Sequence, residues 1–194
     1  MAYWLIKSEP SDFSYDDLVA AKREGWDGVR NYQARIFLRQ MEVGDQAIFY
    51  HSMAKPPGAA GVCAIVKGAE PDPTQFDPSA KYYDPTSDPA DPRWVWVTVA
   101  PVRALRFVPL AELRSMPELG ECRLLAKGNR LSVLPLTDAE FDAIVARMRS
   151  CAQAGVVVPA SCARKRHDGR QARRSGRRAV ELEVTPWARG SDVE

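Results

Sequence analysis

The most constraining feature of this sequence is a segment in its middle, residues 71–93, which contains six prolines and five aspartates. Proline has no backbone donor and Asp-Pro steps favour turns, so a regular helix or strand is excluded here. The segment also contains Phe76, Tyr82 and Tyr83, which predicts that it packs against the rest of the protein. A loop of this length inside a compact domain is usually functional or disordered. We predict an ordered segment, called the flap below.

Short apolar runs lie on both sides of the flap, and most of them end at turn signals. They predict strands over residues 3–6, 46–50, 61–66, 94–99, 102–107 and 131–134. The run 94–99 has β-branched or aromatic residues at nearly every position, the strongest strand composition in the chain. Because the strands do not alternate regularly with helices, a doubly wound sheet is disfavoured. We predict an α+β fold, a mixed β-barrel of about five to six strands surrounded by short helices.

Helix starts are marked by two capping patterns, Ser14 with Asp17 and Thr137 with Glu140. Each pattern stands between two apolar residues at the positions of a hydrophobic staple. The first predicts a helix that ends near Gly25, and the second predicts a closing helix that ends near residue 148. Two further helices are predicted over residues 33–41 and 109–114.

Charge divides the 194-residue chain into two parts. Residues 1–150 contain 18 Lys and Arg against 20 Asp and Glu, whereas residues 151–194 contain nine against five. We therefore predict one domain over residues 1–149, followed by a basic, disordered tail over 150–194. The basic run 164–178 either holds polyanions by releasing their counterions or has no fixed role.

Several classes of protein are disfavoured by the sequence. No apolar run approaches the ~20 residues that cross a bilayer, and no basic region precedes the apolar N-terminal run, so no membrane or secretory role is expected. Four scattered cysteines and two histidines do not have the spacing of a zinc site. We expect no metal and no cofactor, and a cytoplasmic protein, or a nuclear one in a nucleated cell.

Five blocks, taken in order, resemble one known family. They are residues 4–10 (WLIKSEP), 26–35 (WDGVRNYQAR), 41–45 with 49–52 (MEVGD and FYHS), 77–94 (from DPSAKYYDP to DPRW) and 130–133 (RLSV). This series resembles the EVE domain family over about residues 3–148. The resemblance implies a PUA-like barrel, with a pocket that accepts a base turned out of a nucleic acid. Modified cytosine in DNA is the favoured ligand, and RNA is an alternative.

A pocket for an extruded base needs flat surfaces for stacking and polar groups for the edge of the base. The residues assigned to this pocket are Lys7, Ser8, Glu9, Trp26, Asn31, Tyr32, Tyr50, His51, Ser52 and Ser132. Flanking phosphates are assigned to Arg30, Arg35 and Arg130, because phosphate contacts supply affinity without reading sequence.

Purely structural roles remain open for several of these residues. Trp26 follows the helix end predicted at Gly25 and can seal that helix, while Trp4 can be part of the core. Asn31 stands where a helix cap is favoured. Arg35 can form a surface ion pair that contributes little.

Catalysis is the main alternative to binding. His51 with Ser52, and Ser8 with Glu9, are adjacent in sequence, so in a strand they point to opposite faces and cannot act together. Lys7 and Glu9 can share a face, as in an ASCH-like amidohydrolase that acts on a modified nucleoside. A protein-interaction module is a third possibility if the flap exposes its aromatic residues.

Overall fold

A computed structural model describes residues 1–149; the predicted basic tail lies outside these residues. Both capping patterns form. Helix α1 (Tyr15–Ala21) begins with a complete capping box between Ser14 and Asp17, and helix α4 (Asp138–Arg149) begins with reciprocal hydrogen bonds between Thr137 and Glu140. The prediction that the first helix ends near Gly25 is wrong. It ends at Ala21, and Lys22 takes a left-handed conformation with φ 66°.

The strands form a six-stranded sheet of order β2-β5-β4-β3-β1-β6. They are β1 (Tyr3–Ser8), β2 (Glu24–Gly25), β3 (Gln46–His51), β4 (Gly58–Pro71), β5 (Val95–Pro109) and β6 (Val133–Leu136). Strand β1 pairs in parallel with β3 and the other pairs are antiparallel. Helices α2 (Tyr32–Gln40) and α3 (Leu110–Leu113) complete the set.

The predicted α+β fold with a mixed six-stranded sheet is confirmed, with two differences. The runs 94–99 and 102–107 form the single strand β5, because its pairing with β4 changes register beside Pro101 and so accommodates the missing donor. Within residues 1–149 the edge strands β2 and β6 each pair with one neighbour, so the barrel is not closed by hydrogen bonds.

Two buried clusters lie on the two faces of the sheet. Residues of β1 alternate between them, Trp4 and Ile6 in one and Leu5 in the other, as the period of a strand requires. The first, here the aromatic core, includes Trp4, Tyr15, Trp26, Phe37 and Phe49. The second, the aliphatic core, packs under α4 and includes Leu5, Ile48, Leu113, Leu134 and Ile144.

The flap packs against the domain, as predicted, largely through polar contacts. The fully buried Gln75 donates to the carbonyls of Asp72 and Trp94, at 2.7 and 2.9 Å, and its oxygen accepts from the Trp94 amide. Asp84 accepts from the Trp94 indole at 2.7 Å. Within residues 1–149 no helix is long and apolar enough to cross a membrane.

Candidate functional site

A cavity of about 990 Å³ opens beside the carboxyl ends of β1 and β3. Because these two strands are parallel, their last residues come together: the Ser52 amide donates to the Ser8 carbonyl at 2.8 Å, and the Ser52 hydroxyl donates to it at 3.2 Å. The start of β6 is attached alongside, since the Lys7 amide donates to the Ser132 carbonyl at 2.8 Å. The sheet therefore assembles one wall of the cavity from three distant parts of the sequence.

A second wall is formed by residues 24–30. Trp26 is anchored there by β2: its amide donates to the Val97 carbonyl at 2.7 Å, and its ring meets Phe49 edge to face at 5.3 Å. The indole belongs to the aromatic core, is 7% exposed and lines the cavity. It can thus present an aromatic edge to a ligand from a rigid support.

Gly28 brings the flap to the cavity. It has a φ of +72°, and the position that a Cβ would take lies 2.4 Å from the Tyr82 ring. Only glycine combines this left-handed backbone with such a close approach. Tyr82 and the neighbouring Lys81 consequently line the cavity although they belong to the flap.

Arg30 also holds the flap against residues 24–30, through hydrogen bonds. Its Nε and Nη2 donate to the Tyr82 carbonyl, Nη2 also donates to Thr74, and Nη1 donates to Val29 and to the Asp72 carboxylate. These bonds use all five guanidinium donors. Burial alone would raise the pKa of Asp72, but hydrogen bonds from Thr74, Arg30 and Gly28 outweigh it and hold that pKa below its usual range.

Eight of the thirteen sequence-predicted site residues line this cavity. They are Lys7, Ser8, Glu9, Trp26, Arg30, Ser52, Arg130 and Ser132. The other five, Asn31, Tyr32, Arg35, Tyr50 and His51, are not among the lining residues. Each of the five makes a contact elsewhere or is buried, although the buried Nε of Arg35 has no hydrogen-bond partner among residues 1–149.

Three of these five lie at the start of α2. Asn31 caps the helix by accepting from the Ala34 amide at 3.0 Å. Tyr32 is 58% exposed and its ring packs on Trp94 at 5.1 Å. Arg35 lies over the Tyr32 ring at 4.9 Å and donates to the Arg93 carbonyl at 2.9 Å. Asn31 therefore has the helix-capping role left open above. Arg35 makes a structural contact, as the alternative of an ion pair suggested, but its partner is a carbonyl and not a carboxylate.

The remaining two residues lie in β3. Tyr50 is 4% exposed in the aliphatic core, on the other face of the sheet, and burial raises its pKa. His51 accepts from the Tyr15 amide through Nε2 at 3.1 Å and packs on Phe49. It therefore caps α1, and burial lowers its pKa.

The state of Lys7 and of the cysteines bears on whether the site could be catalytic. Lys7 is half-buried, desolvation lowers its pKa, and no ion pair joins it to Glu9 in residues 1–149. Both cysteines of this part of the chain are buried, and burial raises the pKa of Cys63 to about 12 and of Cys122 to about 11. The described residues contain no group of three or more His, Cys, Asp or Glu that could hold a metal ion.

Sequence reasoning missed several lining residues. They are Ser11, Asp12, Phe13, Glu24, Gly25, Asp27, Gly28, Val29, Met53, Lys81, Tyr82 and Asn129. Gly28, Lys81 and Tyr82 stand within the family-like blocks, so those blocks contained a usable signal. Asp12 and Met53 follow strands whose ends meet only in three dimensions, and no local pattern marks them.

Comparison with known proteins identifies the family. The EVE domain family model matches residues 2–147. Human thymocyte nuclear protein 1 is 45% identical over 163 residues, which cover 74% of this chain and 72% of that protein. A crystal structure of a Pseudomonas putida protein is 46% identical with a TM-score of 0.73, and covers 75% of this chain and 98% of that one.

A further similar structure is that of the human THYN1 protein in complex with 5-methylcytosine-containing DNA. It is 44% identical with a TM-score of 0.72, and covers 76% of this chain and 98% of that one. The family match spans nearly all the residues that build the sheet and the cavity. The chain belongs to the EVE domain family.

Proposed function

We propose that this protein binds DNA without catalysis and receives an extruded base, preferably a modified cytosine, in the cavity beside β1 and β3. The observation that carries the proposal is the cavity itself. It combines a firmly held indole, Trp26, with the hydroxyl oxygens of Ser8, Ser52 and Ser132 in a volume of about 990 Å³. The Ser8 and Ser52 hydroxyls donate to the carbonyls of Phe13 and Ser8, so towards a base they can act as acceptors. Pockets for extruded bases pair an aromatic surface with polar groups for the base edge. A relative of 44% identity has been solved with 5-methylcytosine-containing DNA.

The proposed pocket consists of Lys7, Ser8, Glu9, Trp26, Ser52 and Ser132, with Arg130 on a flanking phosphate. Arg30 also lines the cavity, but its donors are all engaged within the protein, so we assign it the support of the flap instead of a phosphate. Asn31, Tyr32, Arg35, Tyr50 and His51 are left out because other contacts or burial account for them.

A binding role is supported by the state of the reactive groups. Lys7 and Glu9 are not paired, and the two cysteine thiols of residues 1–149 are buried with raised pKa values. The amidohydrolase alternative is tested by incubating the protein with acylated cytidine. Turnover that disappears in Lys7→Ala would replace the binding proposal with an enzymatic one.

The proposal includes the bounds of the binding domain and the compartment of the cell. We place the binding domain in residues 1–149 and treat 150–194 as a basic extension, in keeping with the family match over 2–147. We propose a cytoplasmic location, or a nuclear one in a nucleated cell.

The direct test compares two duplexes of identical sequence, one with a single 5-methylcytosine and one unmodified. We expect the modified duplex to bind more tightly, by about fourfold, since burying one methyl group is worth about 0.8 kcal/mol. Affinity is measured by fluorescence anisotropy at fixed salt, with a matching RNA duplex as a third arm.

A blocking variant locates the site. Ser11 is exposed and lines the cavity, so Ser11→Trp should fill the mouth and remove the preference for the modified duplex. Ser115 is exposed and is not a lining residue, so Ser115→Trp is the matched control. Equal affinity of the wild type for both duplexes would refute modified-base recognition. Equal behaviour of the two Trp variants would place the site elsewhere.

A further inference from the structure

Phosphates that flank an extruded base must meet the mouth of the cavity, where the available cations are few. Among residues 1–149, four cations line the cavity: Lys7, Arg30, Lys81 and Arg130. Lys7 is half-buried with a pKa lowered by desolvation, and Arg30 spends all five donors on protein groups. Of the four, Lys81 and Arg130 are therefore the exposed cations that an approaching backbone can reach.

Lys81 has 68% of its side chain exposed. Its position is fixed by the flap, because the ammonium lies 5.2 Å from the centre of the Tyr82 ring, which itself packs against Gly28. The Lys81 ammonium is therefore exposed to solvent and still held at a fixed place beside the cavity.

The same ammonium is paired with Asp12 at 3.1 Å. Asp12 lies in the loop after β1, lines the cavity as Lys81 does, and is 56% exposed. The pair thus joins two walls of the cavity, 69 residues apart in sequence. It also places a negative charge at the point where a DNA phosphate would approach Lys81.

We propose that Lys81 is a backbone-phosphate contact at the cavity mouth and that Asp12 holds it in the free protein, so that DNA binding exchanges the Lys81–Asp12 pair for a Lys81–phosphate pair. This inference rests on the proposed function. The exchange is physically inexpensive, since an exposed ion pair contributes little to stability and both partners are already close to water.

Two consequences follow from the exchange. Lys81 adds affinity that does not depend on the base, because a phosphate carries no sequence information. Asp12 opposes binding, because the pair must separate first and the freed carboxylate then stands beside the DNA. Asp12 therefore acts through Lys81, and this coupling is what separates the proposal from a general effect of surface charge.

A double-mutant cycle on the full chain tests the coupling. Lys81→Gln, Asp12→Asn and the double variant are measured against the 5-methylcytosine duplex and the unmodified duplex at several salt concentrations. We expect Lys81→Gln to weaken both complexes about threefold to tenfold, and to reduce the slope of log affinity against log salt by about 0.9, the value for one phosphate contact. Lys81→Arg should restore the slope.

Asp12→Asn should tighten binding about twofold to fivefold when Lys81 is present and by clearly less when residue 81 is Gln, because only the repulsion between the carboxylate and the DNA then remains. Lys67 and Glu70 form a matched control pair, exposed, 2.7 Å apart and absent from the cavity lining. Lys67→Gln and Glu70→Gln should change neither affinity nor slope by comparable amounts.

The outcomes distinguish the inference from the proposed function. If the wild type prefers the modified duplex but Lys81→Gln keeps the full salt slope, the phosphate contact is refuted while base recognition stands. If Asp12→Asn tightens binding equally with and without Lys81, Asp12 acts only through overall charge and the exchange is refuted. If the wild type binds both duplexes equally, base recognition fails, and the salt slope of Lys81→Gln still tests the phosphate contact.

Discussion

The two faces of the sheet bury similar numbers of residues but with different chemistry. The aliphatic core contains only two aromatic residues, Tyr50 and Phe141, among its buried members. The aromatic core has polar links: the Trp4 indole donates to Asp45 at 3.0 Å, and the single Tyr15 hydroxyl proton is shared between the carbonyls of Val62 and Arg103, at 2.8 and 2.7 Å. The aromatic core also borders the cavity through Trp26.

This difference suggests that the aliphatic core serves mainly stability, whereas the aromatic core also serves ligand recognition. Apolar side chains of high packing density make one face a platform for α4, whereas rings that carry donors let the other face be buried and still meet polar ligands. The cavity therefore opens on the face that tolerates polar groups. Three experiments test this division, beginning with the largest expected effect.

Leu134→Ala in the aliphatic core should lower the free energy of unfolding by about 3 kcal/mol, because Leu134 is fully buried and the change leaves a cavity. Chemical denaturation measures the loss. The preference for 5-methylcytosine DNA over unmodified DNA should stay unchanged under conditions where the variant is folded. A folded Leu134→Ala protein without this preference would show that the two faces are not separable.

Trp26→Leu and Trp4→Leu compare two indoles of the aromatic core. Each should lower the free energy of unfolding by about 2 kcal/mol through lost packing, and Trp4→Leu also leaves Asp45 without one donor. Only Trp26 lines the cavity, so only Trp26→Leu should weaken DNA binding, by about fivefold or more if the indole stacks on the base. Anisotropy titrations at fixed salt give the comparison. Equal losses of affinity would mean that the indole acts through the fold alone.

His51 should make the aromatic side sensitive to pH, with a small effect. Burial lowers the pKa of His51 below its usual 6.5, with Asp16 opposing weakly, and the neutral Nε2 caps α1. As pH falls below about 6.5 the unfolded chain takes up a proton that the folded protein resists, so the free energy of unfolding decreases.

Thermal melting between about pH 7.5 and pH 5.5 measures this decrease. In His51→Gln the side-chain carbonyl can still accept from the Tyr15 amide but does not titrate, so the decrease should be smaller than in the wild type. Identical pH profiles for the two proteins would contradict the assignment.

Local chemistry made much of the fold predictable. The boxes at Ser14 and Thr137 mark the starts of α1 and α4 because capping depends on residues a few positions apart. The face of Tyr50 was not predictable, since β3 is buried on both sides and its alternation is hidden in a continuous apolar run. The cavity was predictable only in part: the family-like blocks contained Lys81 and Trp26, but the pairing of Lys81 with Asp12 depends on how the flap folds back.

The position of β1 has a further consequence for how the protein folds during synthesis. The strand nearest the N-terminus lies between β3 and β6, and Ile6 pairs with Val133 near the other end of the described chain. Contacts so distant in sequence are slow to form, because chain entropy must be lost before they stabilise anything. During synthesis the wall that holds Ser132 can join Lys7 only after almost the whole domain has left the ribosome. A shortened chain that lacks β6 would therefore retain most of its sequence and have no complete cavity.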